Sequence, residues 1–247
     1  MFKVFLFLWV FQTLAYAGDI TVAGAANIQF TLEDLKAEFT RETGISVKAV
    51  FSSSGKLTAQ IENGAPFDIF MSADMKYPER LYQDGFSSQA PKVYAYGRLV
   101  LWTMKNIDLS KGIPVLSEAV VQKIALADPQ LAPYGLQAVH TLKFYQLFQP
   151  LKKKYVIGEN ISQVNQFITT GAADIGLTAQ SVVLAPPMKD KGKWVQVDPQ
   201  SYEPIAQGVI VLKYAQQNHS KEAREFYEFL FSSPAQEIFK KYGYKLP

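Results

Sequence analysis

Residues 19–74 read DITVAGAANIQFTLEDLKAEFTRETGISVKAVFSSSGKLTAQIENGAPFDIFMSAD, and the punctuation of this stretch decides the fold. Asp19 to Ala23 is a short apolar run with the β-branched content of a strand. From Ile28 onward, Phe30, Leu32, Leu35 and Phe39 fall at helical spacing until Gly44 stops the helix. Val47 to Phe51 reads as a second strand, and Leu57 and Ile61 mark one face of a short helix ending at Gly64. Phe67 to Met71 is a third strand, running into Ser72-Ala73-Asp74 and a helix through Leu81. Strand and helix alternating in this way predict an α/β fold: an open, mostly parallel sheet with helices on its faces.

Composition changes near Tyr94-Ala95-Tyr96-Gly97-Arg98, ahead of the apolar Leu99 to Trp102, and a second alternating set begins. Lys123 to Ala127 reads as a strand, Tyr134 to Phe148 as a helix and Tyr155 to Ile157 as a strand. Ser162 to Thr170 reads as a helix capped by Gly171, and Asp174 to Thr178 as a strand. After Tyr202-Glu203-Pro204 come a strand over Ala206–Leu212 and two helices, Lys221–Phe231 and Pro234–Tyr242. Two alternating sets without an internal sequence repeat predict two lobes of modest size. The expected division is residues 18–97 with 205–247 in lobe I and 98–204 in lobe II, each a mostly parallel sheet flanked by helices. A ligand cleft is expected between them.

Met1 to Ala17 has a secretory pattern: Lys3, an apolar core from Val4 to Leu14, and the small-x-small triplet Ala15-Tyr16-Ala17. The core is shorter than the roughly 20 apolar residues a membrane span needs. Cleavage is expected after Ala17, giving an exported protein that begins at Gly18. The chain has no cysteine, so stability must come from the core, and the usual lipidation residue after a leader is absent. A free exported protein is retained only by an outer membrane, so a Gram-negative periplasm is expected. The formal charge is +3, with Lys152-Lys153-Lys154 as one local run. That run reads as a solvated loop, and no nucleic-acid partner is expected. Two histidines, His140 and His219, without a carboxylate at ligand spacing do not make a metal site.

Four strand-to-helix junctions carry the functional signal: Ala25-Ala26-Asn27, Ser52-Ser53-Ser54-Gly55, Pro133-Tyr134-Gly135 and Asn160-Ile161-Ser162. In open α/β sheets the ligand crevice lies at the carboxyl ends of the strands. Helix starts present unpaired N–H groups and a partial positive charge to that crevice. None of the four junctions contains Lys, Arg or His. Together they describe a pocket that holds a small, permanently charged anion through neutral donors and does no chemistry on it. Asn27 offers an amide donor and a possible N-cap, Ser54 a hydroxyl, and Gly55 room for close backbone approach. Tyr134 offers an N–H and a candidate hydroxyl; Ile161 offers only its N–H. Taken singly, each residue also reads as an ordinary cap or core contact.

Other classes fare worse. A serine hydrolase would use Ser54 with His140 or His219, but Ser-Ser-Ser-Gly lacks the preceding glycine of a nucleophile elbow. A ligand-sensing domain of a transcription factor would need a DNA-binding module, and no helix-turn-helix precedes the first strand.

From Val22 to Pro247 the sequence resembles the periplasmic molybdate-binding proteins of ABC importers. The resemblance rests on Ala25-Ala26-Asn27, Ser53-Ser54-Gly55, Asn63-Gly64-Ala65-Pro66, Phe70-Met71-Ser72-Ala73-Asp74, and Asp128-Pro129-Gln130-Leu131-Ala132-Pro133-Tyr134-Gly135. Gly171-Ala172-Ala173-Asp174-Ile175-Gly176 and Lys241-Tyr242-Gly243-Tyr244 add to it. It implies the two-lobe type II periplasmic binding fold, with a tetrahedral oxyanion held by hydrogen bonds at Ala26, Asn27, Ser54, Tyr134 and Ile161. It implies molybdate as cargo, with tungstate as a second ligand, no cofactor and no direct protein–metal ligand. The implied partners are a membrane permease and its cytoplasmic ATPase, served by a monomer. Some members add a tyrosine hydroxyl after the strand matching Asp174–Thr178; this chain has Ala179 there, which leaves the donor count open, with the ring of Tyr134 a candidate replacement. Sulfate is the alternative cargo. Phosphate is disfavoured, because its proton needs an acceptor, and the one nearby carboxylate, Glu159, is expected to face away.

Overall fold

The structure, a computed structural model, describes residues 19–247. The leader expected over residues 1–17 lies outside the described residues. From the N-terminal side the chain forms β1 (Ile20–Ala25), α1 (Gln29–Thr43), β2 (Val47–Ser52), α2 (Ser54–Glu62), β3 (Ile69–Met71), α3 (Lys76–Gln83) and β4 (Lys92–Gly97). It continues through β5 (Leu99–Thr103), β6 (Ile124–Ala127), α4 (Pro133–Phe144), β7 (Tyr155–Gly158), α5 (Ile161–Thr169), β8 (Ile175–Ala179), α6 (Gln180–Val183) and β9 (Lys193–Gln196). β10 (Ile205–Val211), α7 (Lys213–Asn218), α8 (Ser220–Phe229) and α9 (Ser233–Lys241) close it.

The strands sort into two five-stranded sheets, ordered β2-β1-β3-β10-β4 and β7-β6-β8-β5-β9. The plan is the same twice. In the first, β1 lies parallel between β2 and β3, with Val22 beside Ala49 and Ile69. In the second, β6 lies parallel between β7 and β8, with Ile124 beside Tyr155 and Ile175. The fourth strand of each sheet runs antiparallel and has just arrived from the other sheet. β5 follows β4 with only Arg98 between them, and β10 follows β9 through residues 197–204. The chain therefore crosses twice between the sheets, side by side.

The sheet centres are buried on both faces, as helix-covered parallel strands require; β5, β6 and β8 are buried at every position. Behind the first sheet, Phe39 of α1 meets Phe226 edge-on at a ring separation of 5.0 Å, which docks α8 against α1. Trp102 fills the second core, its indole N–H donating to the Lys191 carbonyl at 2.9 Å.

Five elements differ from the sequence reading, two of them the short helices α6 and α7, which it did not place. The helix expected over Tyr134–Phe148 ends at Phe144, because Gln146 turns left-handed with φ of 58°. Lys92–Gly97 is a strand, although its sequence runs into that of β5 without a turn residue pattern that separates them. β9 is a four-residue edge strand, too short to show a period.

Candidate functional site

Each sequence-predicted junction falls at the carboxyl end of a strand: a 3₁₀ turn (Ala26–Ile28) after β1, α2 after β2, α4 after β6 and α5 after β7. All four meet at one small, tightly closed cavity. Ala26, Asn27 and Ser54 line it from the first sheet, and Tyr134 and Ile161 from the second. Ala25, Ser53, Ala73, Ala132, Pro133 and Asn160 complete the wall. Of these, Ala73 was invisible as a site residue in the sequence; its only signal was its place after β3, at the same sheet edge. No charged side chain among the described residues lines the cavity.

A donor inventory explains what the cavity can do. The first N–H groups of a helix have no intrahelical acceptor, and here most are taken up locally. In α2, Ser53 Oγ caps the Lys56 N–H at 3.4 Å, and the Gly55 N–H goes to the Leu131 carbonyl at 2.9 Å. In α4 the first residue is Pro133, which has no N–H. In α5, Asn160 Oδ1 caps the Gln163 N–H at 3.1 Å. The N–H groups of Asn27, Ser54, Tyr134 and Ile161, at the first positions of these turns and on the cavity wall, have no acceptor within their own turn or helix; the parallel register of β1 on β2 gives the Ala26 N–H the Ser52 carbonyl instead. Ser54 adds a side-chain donor: its Oγ accepts from the Ala73 N–H at 3.1 Å, so its own proton is free for the cavity. Such a surface of neutral donors at four helix starts is complementary to a small polyvalent anion.

Three residues behave differently from expectation. Asn27 is not a cap: Ala25 and Ile28 occupy the cap positions of the two turns. Its amide hydrogens point away from the cavity, to Gln207 Oε1 at 2.8 Å and the Tyr244 hydroxyl at 3.3 Å. The Tyr134 hydroxyl also turns away, accepting from Gln207 Nε2 at 3.3 Å, so it does not replace the donor that Ala179 lacks. Gly55 is needed for the approach of the opposite lobe at Leu131 rather than for a ligand; a Cβ there would stand 3.2 Å from the Leu131 carbonyl oxygen. Glu159 does face away from the cavity, pairing with Lys56 across the cleft. Ala179 is fully buried and lies outside the lining.

Burial holds the phenols of Tyr94, Tyr134 and Tyr244 above their ordinary values, so all three keep their protons. The hydrolase reading finds no support in the geometry: His140 sits against Gln137 and His219 against Asp68, at 3.1 and 2.8 Å. Neither histidine lines the cavity. The lysine run precedes β7 as a 3₁₀ turn, and Lys154 is used structurally, donating to the Leu116 and Glu118 carbonyls. A larger space of about 1090 Å³, much of it open to solvent, lies by Tyr96, Gly97 and Arg98 and holds none of the five predicted site residues.

Residues 20–245 match the family of bacterial extracellular solute-binding proteins. The sequence is 35% identical over 233 residues to the molybdate-binding protein ModA of Azotobacter vinelandii, covering 94% of this chain and 92% of that one. It is 35% identical to the molybdate-binding protein ModA of Rhodobacter capsulatus, over 93% of this chain and 89% of that protein. The solved structure of the periplasmic molybdate-binding protein of Azotobacter vinelandii superimposes with a TM-score of 0.87 at 34% identity, covering 92% of this chain and 99% of that one.

Proposed function

The chain belongs to the molybdate-binding family of bacterial extracellular solute-binding proteins, and on that premise we propose that its cavity holds one molybdate for delivery to an ABC importer. One observation carries the reading to these residues. Four helix-start N–H groups and a hydroxyl, drawn from both lobes and without acceptors in their own helices, belong to residues lining one cavity, and no charged side chain among the described residues lines it. Molybdate and tungstate are dianions at neutral pH and need only donors. Phosphate carries a proton that needs an acceptor such as a carboxylate, and none among the described residues lines this cavity. Sulfate shares the donor requirement, and the cargo of the relatives named above favours molybdate over it.

The protein is a binding protein, as its relatives are, and the cavity's groups act by donating hydrogen bonds. Donors come from both lobes, so anion binding favours the closed arrangement, in which they meet. In this reading the protein is exported to a Gram-negative periplasm after loss of residues 1–17. There it works as a monomer, docking on a membrane permease driven by a cytoplasmic ATPase.

Thermal unfolding of residues 18–247 with molybdate, tungstate, sulfate and phosphate in turn tests the assignment. At a hundredfold excess over the dissociation constant, one-site binding adds about 2.7 kcal/mol, a rise of roughly 5 to 11 °C for this size. A rise with molybdate and tungstate supports the reading. A rise with sulfate alone reassigns the cargo, and no rise with any of the four rejects the oxyanion site.

A further inference from the structure

Asn27 and Tyr134 stand on opposite walls of the cavity, yet both side chains leave it and end on the same residue. Gln207 is fully buried, and nothing in its sequence surroundings distinguishes it. Its Oε1 accepts from Asn27 Nδ2 at 2.8 Å and from the Tyr94 hydroxyl at 2.8 Å. Its Nε2 donates to the Tyr134 hydroxyl at 3.3 Å. Gln207 lies in β10, at a register shift opposite Ala95 of β4, where the chain has just made its second crossing. The first crossing is equally close: a Cβ on Gly97 would fall 2.0 Å from the Tyr134 hydroxyl oxygen and 2.5 Å from Gln207 Nε2. One buried amide thus touches a residue from each cavity wall, at the point where both inter-lobe strands pass.

A primary amide suits this place because its acceptor and donor ends are distinct. The oxygen end serves the first lobe and the nitrogen end serves the second. The Asn27 and Tyr134 side chains are positioned by these bonds, and with them the backbone N–H groups that face the cavity. We propose that Gln207 is a positioning residue for anion binding: it touches no ligand, and it sets how the Asn27 and Tyr134 walls meet. The inference rests on the oxyanion reading of the cavity.

The ionisable groups packed around Gln207 are the phenols of Tyr94, Tyr134 and Tyr244, all protonated at neutral pH. Asp74, in the turn after β3, spends its carboxylate on the Ser72 hydroxyl at 2.9 Å. A glutamate at position 207 therefore makes a discriminating probe. Protonated, it reproduces the native pattern, with its carbonyl accepting from Asn27 and Tyr94 and its O–H donating to Tyr134. Ionised, it loses the donor end and places a negative charge behind the walls of an anion site.

Molybdate titration calorimetry on wild type, Gln207→Glu and Gln207→Leu, between pH 5.5 and 9, reads this directly. Cooperative thermal unfolding of each ligand-free variant checks the fold. Gln207→Glu should lose roughly tenfold or more in affinity as pH rises across this range, while wild type changes little. Gln207→Leu should be weakened by a similar factor at every pH. Folded variants that bind molybdate as tightly as wild type throughout would overturn the proposal and leave the oxyanion reading intact. A wild type that binds no molybdate, tungstate or sulfate would overturn the reading and the proposal together.

Discussion

The Gly55 N–H donates to the Leu131 carbonyl oxygen at 2.9 Å, tying the first turn of α2 in one lobe to the turn before α4 in the other. Tyr77 reinforces the contact by donating its hydroxyl to the neighbouring Gln130 carbonyl at 3.0 Å. Two backbone carbonyls of the second lobe are therefore fixed beside the cavity by donors of the first, and both bonds need the lobes to be closed.

Gly55→Ala should block closure and spare the fold. The added Cβ would stand 2.8 Å from the Tyr77 hydroxyl and 3.2 Å from the Leu131 backbone, whereas alanine within a helix is itself favourable. Losing two inter-lobe hydrogen bonds predicts a roughly five- to hundredfold fall in molybdate affinity. Ligand-free melting should stay at or slightly above that of wild type. Calorimetric titration beside ligand-free melting separates the two effects, and a variant with undiminished affinity would show that closure does not depend on this contact.

Ser54→Ala removes a buried side-chain donor whose proton is left for the cavity. It also strands the buried Ala73 N–H that Ser54 Oγ accepts. Affinity for the anion should drop about ten- to a hundredfold, the range for a hydrogen bond to a charged partner. Ligand-free stability should fall by about 1–3 kcal/mol from the unpaired N–H, read by urea unfolding. Unchanged affinity with reduced stability would assign Ser54 to structure alone.

Lys56 pairs with Glu159 across the cleft mouth, with both side chains partly exposed. Exposed pairs contribute between nothing and about 1 kcal/mol. Lys56→Met loses both the closure contact and a cation near an anion site, so the two effects share a sign. The expectation is an up to about fivefold weaker complex, seen mainly as faster release. The difference from wild type should shrink as salt screens the pair, and a salt-independent deficit would point to packing instead.

The fold was legible because its signal is local: strand runs end in helix starts within a few residues, and the periodicities of Leu32–Phe39 and Leu57–Ile61 need no distant partner. The N–H groups of Tyr134 and Ile161 were offered by the residues for the same local reason, a helix start after a strand; Ala26 came only through the family resemblance, and the caps at Ser53 and Asn160 emerged with the structure. Side-chain direction was not legible. Whether Asn27 turns toward the cavity depends on Gln207, 180 residues away, and the use of Gly55 depends on Leu131 in the other lobe. Ala73 escaped notice because its contribution is a backbone N–H that orients Ser54, which any residue could supply.

Asp174 gives the fold a testable acid limit. Burial of its carboxylate alone would raise the pKa. The Lys105 ammonium and the Lys123 and Gln122 N–H groups outweigh burial and hold it below the ordinary value. Both N–H groups lie 2.7 Å from Oδ2, tying the start of β8 to the chain entering β6. A folded-state pKa below the unfolded one means the unfolded chain binds the proton more readily. The stabilisation is therefore fully present above the unfolded value, about 4, and is lost as pH falls through the folded value. Asp174→Asn keeps the shape and removes the charge. At pH 7 it should cost about 1–3 kcal/mol in urea unfolding. The gap between wild type and variant should hold from pH 8 down to about 5 and narrow toward pH 3. A gap that stays constant over the whole range would mean that the carboxylate acts as a neutral acceptor and that its charge contributes nothing to holding β8 in place.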